Sequence, residues 1–221
     1  NYISRPDPNT PFTSLTPMYL EVDRQLDERE LELIKLNLEE VLSDVRVTVS
    51  DWKPMKDKLA EVIARLQDLP EKLNNEKNNE CRDFLEWISG NHFTLLGYTY
   101  YSLERDNKDF KLVPQQKACL GLKTKSIWKP KPYSLSDLPS GARNLILNSE
   151  NLLVLTKLSA VSRVHRPAHI DYIGVKRVNE DGDIIGEDRF IGLYTSAAYN
   201  LNPMSIPVLR QKIQTVQARS G

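Results

Sequence analysis

The sharpest pattern in the chain is a pair of apolar runs around a polar tip. Residues 170–178, IDYIGVKRV, and 184–195, IIGEDRFIGLYT, are rich in β-branched and aromatic side chains, and NEDGD separates them. An Asp-Gly pair between two such runs predicts a hairpin, because glycine takes a positive φ without a Cβ clash. Each strand is expected to run about nine to twelve residues, long against the usual five or six. So long a hairpin needs a sheet and a covering layer. The upstream pattern supplies helices. Leu31, Ile34, Leu38, Val41, Leu42 and Val45 recur at three- and four-residue steps, which predicts an amphipathic helix of about 20 residues opened by Asp27 and Glu30 as a capping box. Met55, Leu59, Val62, Ile63 and Leu66 form a second stripe, with Asp51 as its cap, Pro54 in the first turn and Pro70 past the end. Phe84, Leu85, Trp87 and Ile88 share one face of a third helix, which Gly90 or Asn91 can stop in a left-handed conformation.

Strand signals follow. Residues 92–103 predict a long strand, 106–109 a turn, 110–113 its return, and 120–122 a short strand. The continuous apolar run in 151–157 predicts a buried strand. Residues 18–23 are expected to form a short strand, 1–17 an extended lead-in with four prolines, 71–80 a solvated connection or helix entry, and 123–139 irregular structure. Pro203 and Pro207 bracket the start of a last helix, with Val208, Leu209, Ile213 and Val216 expected inward. The fold class is α+β: amphipathic helices, then an antiparallel sheet of about five strands carrying the long hairpin 170–195, with flanking helices.

Composition narrows the function. Lys+Arg and Asp+Glu both count 30 in 221 residues, so bulk charge gives no reason to expect a nucleic-acid partner. No apolar run approaches the roughly 20 residues of a membrane span. There is no signal-peptide pattern and no initial Met, so the chain reads as a piece of a larger cytoplasmic protein. Cys81 and Cys119 are far apart and in no metal spacing; a reduced setting is favoured over a disulfide.

Candidate chemistry concentrates near the hairpin. His165 and His169, with Asp171, have helical ligand spacing, but Pro167 and the strand that follows break the helix such a site needs; a turn role is favoured and no metal is expected. Arg163, Arg166, Lys176, Arg177 and Arg189 gather positive charge that suits a carboxylate. Glu180, Asp181, Asp183, Glu187 and Asp188 offer equally local partners, so ion pairing is favoured over a ligand site. His165, Arg166, Lys176 and Arg189 stand as the candidate ligand or interdomain contacts. Tyr98, Tyr100, Tyr101, Tyr172 and Tyr194 fit sheet positions better than base stacking. The nine glycines supply neither G-x-G-x-x-G after a strand nor a P-loop, and no catalytic signature occurs.

Several segments carry a resemblance. VHRPAHIDYIGVKR, GEDRFIGLYTSAAYN and IPVLRQKI, with LEVDRQ at 20–25, LSDVR at 42–46 and its later Asp51-Trp52, and DFLEW leading to HFTLLGY, resemble the N-terminal, non-catalytic part of the large bacterial NAD-specific glutamate dehydrogenases. Order and rough spacing agree over nearly the whole chain; 106–148 agrees poorly. The resemblance implies a parent that oxidises L-glutamate to 2-oxoglutarate and ammonium with NAD, whose nucleotide and glutamate sites lie in a later part of the polypeptide. No catalytic residue and no cofactor carries over to this chain. It also implies ACT-like and PAS-like modules: 1–52 as the tail of an ACT-like unit (a strand plus a long helix), 53–80 as a helical linker, 81–200 as a PAS-like sheet, and 201–221 as a connecting helix. The expected partners are other domains and subunits of a homo-oligomer, with an amino-acid effector as the alternative.

Overall fold

The computed structural model describes residues 19–106 and 109–220. The expected lead-in at 1–17 and the Asn107-Lys108 centre of the first hairpin turn lie outside the described residues. Two compact units divide after Asn37. In the first, residues 19–27 carry no strand, which corrects the strand expected at 18–23. Helix α1 (Glu28–Ser50) begins there; its first turn is capped by Asp27 Oδ1, which accepts from the Arg29 amide at 2.8 Å. Leu31, Leu33, Ile34 and Leu36 are all exposed in this unit.

The second unit is built on the predicted hairpin. β6 (His169–Val178) and β7 (Ile184–Tyr194) pair antiparallel through a turn in which Gly182 has φ 74° and the Asn179 amide donates to Asp183 O at 3.0 Å. β1 (Phe93–Asp106) pairs with the other edge of β7, and β2 (Asp109–Pro114) with β1. β5 (Leu153–Val161) pairs with β6. Two-residue strands β3 (Leu120–Gly121) and β4 (Tyr133–Ser134) complete a sheet of order β4-β2-β1-β7-β6-β5, with β3 on β1. The five long strands are therefore wholly antiparallel. β5 lies at the sheet edge and is only partly covered, which corrects the buried strand expected at 151–157: Leu152 and Leu153 are buried, but Thr156 and Lys157 face solvent.

Alternation along β6 and β7 sends Ile173, Val175 and Phe190 to one face. There they meet α2 (Trp52–Gln67), through Met55, Leu59, Val62 and Leu66, and α3 (Glu76–Trp87), through Phe84 and Leu85. Residues 53–80, expected as a linker, thus supply one helix of the main core. Asn91, at φ 67°, is the left-handed residue after α3, as the sequence suggested. Within 71–80, Asn78 is buried: its side chain donates to Leu73 O at 2.8 Å and accepts from the Leu152 amide at 3.1 Å. Cys81 sits fully inside this layer, and burial pushes its thiol up to about 12. The far face buries Leu96, Ile170, Ile191 and Leu193 against Leu122, Trp128 and the end of α1 at Val45 and Val47. Asp51 precedes α2 but makes no cap bond; its Oδ2 instead accepts from the Gly121 amide at 2.7 Å, tying the helix start to β3. Short helices α4 (Ser140–Leu147) and α5 (Ser196–Tyr199) flank β5 and β7 in sequence, and α6 (Leu209–Ser220) ends the chain. Of the positions expected inward there, Val208 packs against the main core and Ile213 is half-buried, but Leu209 and Val216 are 38% and 62% exposed, which corrects the expectation for those two.

Candidate functional site

Glu187 lies on the far face of β7, and the pleat sets Tyr172, Lys176 and Arg189 beside it. Gly174 on β6 leaves the room: a Cβ there would fall 2.1 Å from Glu187 Oε1. Glu187 Oε1 accepts from the Tyr172 hydroxyl at 2.9 Å, and Oε2 from Arg189 Nε at 2.8 Å. The Arg189 guanidinium also donates to the Tyr133 hydroxyl at 2.5 Å and lies 3.8 Å over the Tyr101 ring. Burial opposes its charge, but the Tyr172, Glu187 and Tyr133 groups outweigh that and hold the guanidinium protonated. The Tyr172 hydroxyl is pushed far up, first by burial and then by Glu187.

Lys176 shares Glu187 as its cross-strand neighbour. Its Nζ donates to three backbone carbonyls, Leu145 O, Asn148 O and Asn151 O, at 2.5, 2.6 and 2.7 Å. It thereby serves one carbonyl of the last turn of α4 and two of the segment that follows it. Burial pulls its ammonium down to about 8, with Glu187 opposing the shift. On the helix face the next residue, Asp188, is fully buried. It accepts from the Tyr98 hydroxyl at 2.6 Å, from Arg177 at 2.9 Å, and from Arg65 of α2.

Of the four sequence candidates, the structure gathers Lys176 and Arg189 around Glu187. His165 and Arg166 lie apart, in the turn before β6. His165 is exposed with φ 69°; Arg166 donates to Tyr194 O at 3.0 Å and lies 5.6 Å over the Tyr199 ring. Among the described residues, no group of three His, Cys, Asp or Glu side chains could hold a metal ion. Sequence reasoning missed Arg65 and Tyr133, and placed Tyr98 in the sheet without its bond to Asp188. The signal for buried charge was the GEDR run inside an otherwise apolar β7.

A second feature is an open cleft of about 280 Å³ between α3, the ends of β5 and β7, and residues 198–212. Its walls are Phe84, Trp87, Leu155, Tyr194, Tyr199 and Val208, and Lys212 stands among them. Tyr194 packs edge-on to Tyr199 with ring centres 6.5 Å apart. The 206–210 wall is fastened to α3: the Val208 amide donates to Glu80 Oε2 at 2.6 Å, and Arg210 donates to Glu80 Oε1 at 2.6 Å and Asp83 Oδ2 at 2.8 Å.

No protein-family profile matches the chain. A protein of Pseudomonas aeruginosa named NAD-specific glutamate dehydrogenase is 36% identical over 211 residues, covering 92% of this chain and 12% of that protein. The chain is similar to one segment of the NAD-specific glutamate dehydrogenases. The glutamate dehydrogenase of Halomonas elongata is 33% identical over 203 residues, 91% of the chain and 12% of its own length. That of Mycobacterium tuberculosis is 21% identical over 202 residues, 91% of the chain and 11% of its length. The chain thus spans about one eighth of the length of these dehydrogenases. No helix among the described residues is long and apolar enough to cross a membrane.

Proposed function

We propose that the chain is a non-catalytic regulatory and assembly segment of a large cytoplasmic NAD-specific glutamate dehydrogenase. The parent would convert L-glutamate and NAD to 2-oxoglutarate, ammonium and NADH elsewhere in its sequence. The observation that carries this reading is that the charged side chains best suited to a substrate carboxylate are spent inside the fold. Arg189 is held by Glu187, Tyr133 and Tyr101, and Lys176 by three carbonyls. Similarity over nine tenths of the chain but about one eighth of each relative supports a segment rather than a complete enzyme. The first turns of α1 support an assembly role. They leave Leu31, Leu33, Ile34 and Leu36 exposed between charged residues, and apolar surface concentrated in this way marks a contact face.

Within this reading, residues 81–200 are the PAS-like module, whose five long antiparallel strands suit it; α2, from the preceding residues, packs with α3 on one face of that sheet. Residues 1–52 remain the tail of an ACT-like unit and 201–221 the connecting helix. Other domains and subunits of a homo-oligomer are the partners. The test compares the purified chain with the full-length enzyme. The chain alone should form no NADH from glutamate and NAD, and an enzyme lacking these residues should change its oligomeric state by analytical ultracentrifugation. Glutamate-dependent NADH formation by the chain itself would overturn the proposal, as would a deletion that leaves assembly and regulation unchanged. The aromatic cleft favours a second reading, an amino-acid sensor within the same segment.

A further inference from the structure

We infer that the bare edge of β5 docks an extended peptide segment of another polypeptide, apolar at alternate positions and acidic at its ends, as one more antiparallel strand. The inference deepens the assembly reading by naming its surface. It is tested by peptide binding to this chain, whereas that reading is tested by the assembly of the whole enzyme.

The backbone comes first. β5 ends the sheet, so one of its edges is unpaired among the described residues. The Lys176 amide donates to Leu152 O at 2.9 Å, and Leu153 stands opposite Val175. In an antiparallel ladder this makes Leu153 and Val175 a non-hydrogen-bonded pair, and the two kinds of pair alternate along the strand. The main-chain groups of Leu153, Leu155 and Lys157 therefore point away from β6. The Leu153 amide is met by Asn151 Oδ1 at 3.1 Å. The Leu153 carbonyl and both groups of Leu155 and Lys157 find no hydrogen-bond partner among the described residues. Such a row is a template for a further strand. The register breaks between Lys157 and Val161, which limits the usable edge to 153–157.

Two hollows border this edge. One is the aromatic cleft of about 280 Å³; the other, about 360 Å³, adjoins it, and Leu155, Val208 and Lys212 line both. Leu153, Val154 and Leu155 all line the second hollow, although the pleat turns Val154 to the face opposite its neighbours. A hollow met from both faces lies on the strand's edge. Together the two make a trough between β5 and residues 206–212. Residues paired across a ladder share a face, so the peptide residues opposite Leu153 and Leu155 present their side chains to these hollows. Their walls, Phe84, Trp87, Leu145, Tyr199 and Val208 among them, favour apolar side chains at those alternate positions.

Charge decides the peptide's ends. Lys77 and Lys212 line the trough, are exposed, and have no carboxylate partner among the described residues. Glu80, the carboxylate in the same lining, is held by the Val208 amide and by Arg210. The unspent charge is positive, and glutamates complement it.

Fluorescence anisotropy with the full chain tests the proposal, using the fluorescein-labelled peptide EFTLTVE. It should bind saturably. KFTLTVK should bind roughly tenfold weaker or worse, because two attractions become repulsions. N-methylation of the phenylalanine, leucine and valine amides, which face β5 in an antiparallel addition, should weaken binding by a similar factor; N-methylation of the threonine amides, which face away, should not. Leu155→Pro removes a donor that points off the sheet, where proline is tolerated, and should weaken EFTLTVE. Lys212→Glu, at an exposed position, should weaken EFTLTVE and strengthen KFTLTVK. No binding of EFTLTVE, equal binding of the two methylated forms, or insensitivity to both variants would overturn the proposal. So would a dimer in analytical ultracentrifugation that Leu155→Pro dissociates and EFTLTVE does not, since the occupant would then be a second copy of the chain.

Discussion

Glu187 and Asp188 are neighbours in sequence, and the pleat of β7 sends them to opposite faces of the sheet. Both are buried carboxylates with arginine and tyrosine partners, yet the arrangements differ in where the positive charges can go. Arg65 and Arg177, which serve Asp188, have side chains 37% and 27% exposed. Arg189, which serves Glu187, is 12% exposed and roofed by tyrosines. The lesson is that the worth of a buried ion pair depends on the fate of the surviving partner. Removing one member is harshest when it strands the other away from water.

That contrast orders the expected effects. Glu187→Ala should cost about 3–5 kcal/mol in urea denaturation, because Arg189 is left buried and uncompensated. Asp188→Ala should cost less, about 1–3 kcal/mol, since both arginines can turn to solvent and the main loss is the hydrogen bonds, including that of Tyr98. If Asp188→Ala proves the more damaging, the exposed-partner argument fails. Lys176→Met should cost about 1–3 kcal/mol by leaving the carbonyls of Leu145, Asn148 and Asn151 without this donor.

Lys176 also gives a pH dependence with a definite sign. Its folded pKa, about 8, lies below the lysine value of 10.5, so between them the unfolded chain holds the proton more tightly. The linkage then makes folding gain stability as pH rises through that window, by at most about 1.4 kcal/mol per pH unit. Wild type should gain on Lys176→Met from about pH 8 to about 10.5; the ionising tyrosines are common to both proteins and cancel. A parallel pair of curves would refute it. Smallest of all is the exposed pair between Arg163 and Glu40, at 2.5 Å: Glu40→Gln should change stability by about 1 kcal/mol or less, and less still in high salt.

The hairpin and the α2 stripe were legible in the sequence because their signals are local: an Asp-Gly turn, and four buried side chains at helical spacing. The last helix had good periodicity, but Leu209 and Val216 on it are exposed. Period says that a face is apolar, and α1 and α6 have such faces, but it does not say what lies against them. The site was only half legible for a related reason. The positive residues of the hairpin could be named, and ion pairing was preferred for them. Arg177 and Arg189 do find local partners, Asp188 and Glu187, but Arg65 reaches Asp188 from 123 residues away and the carbonyls that hold Lys176 lie 25 to 31 residues away. Neither alternation nor spacing encodes those meetings.

The buried thiol of Cys81 makes the protein its own clock. A thiol held near 12 is almost wholly protonated at neutral pH, and only the thiolate is alkylated. Iodoacetamide can therefore reach it only in the brief intervals when α3 lifts from its neighbours. The rate of labelling counts those intervals, so the breathing of the α3 layer against the sheet can be followed without adding any probe to the chain.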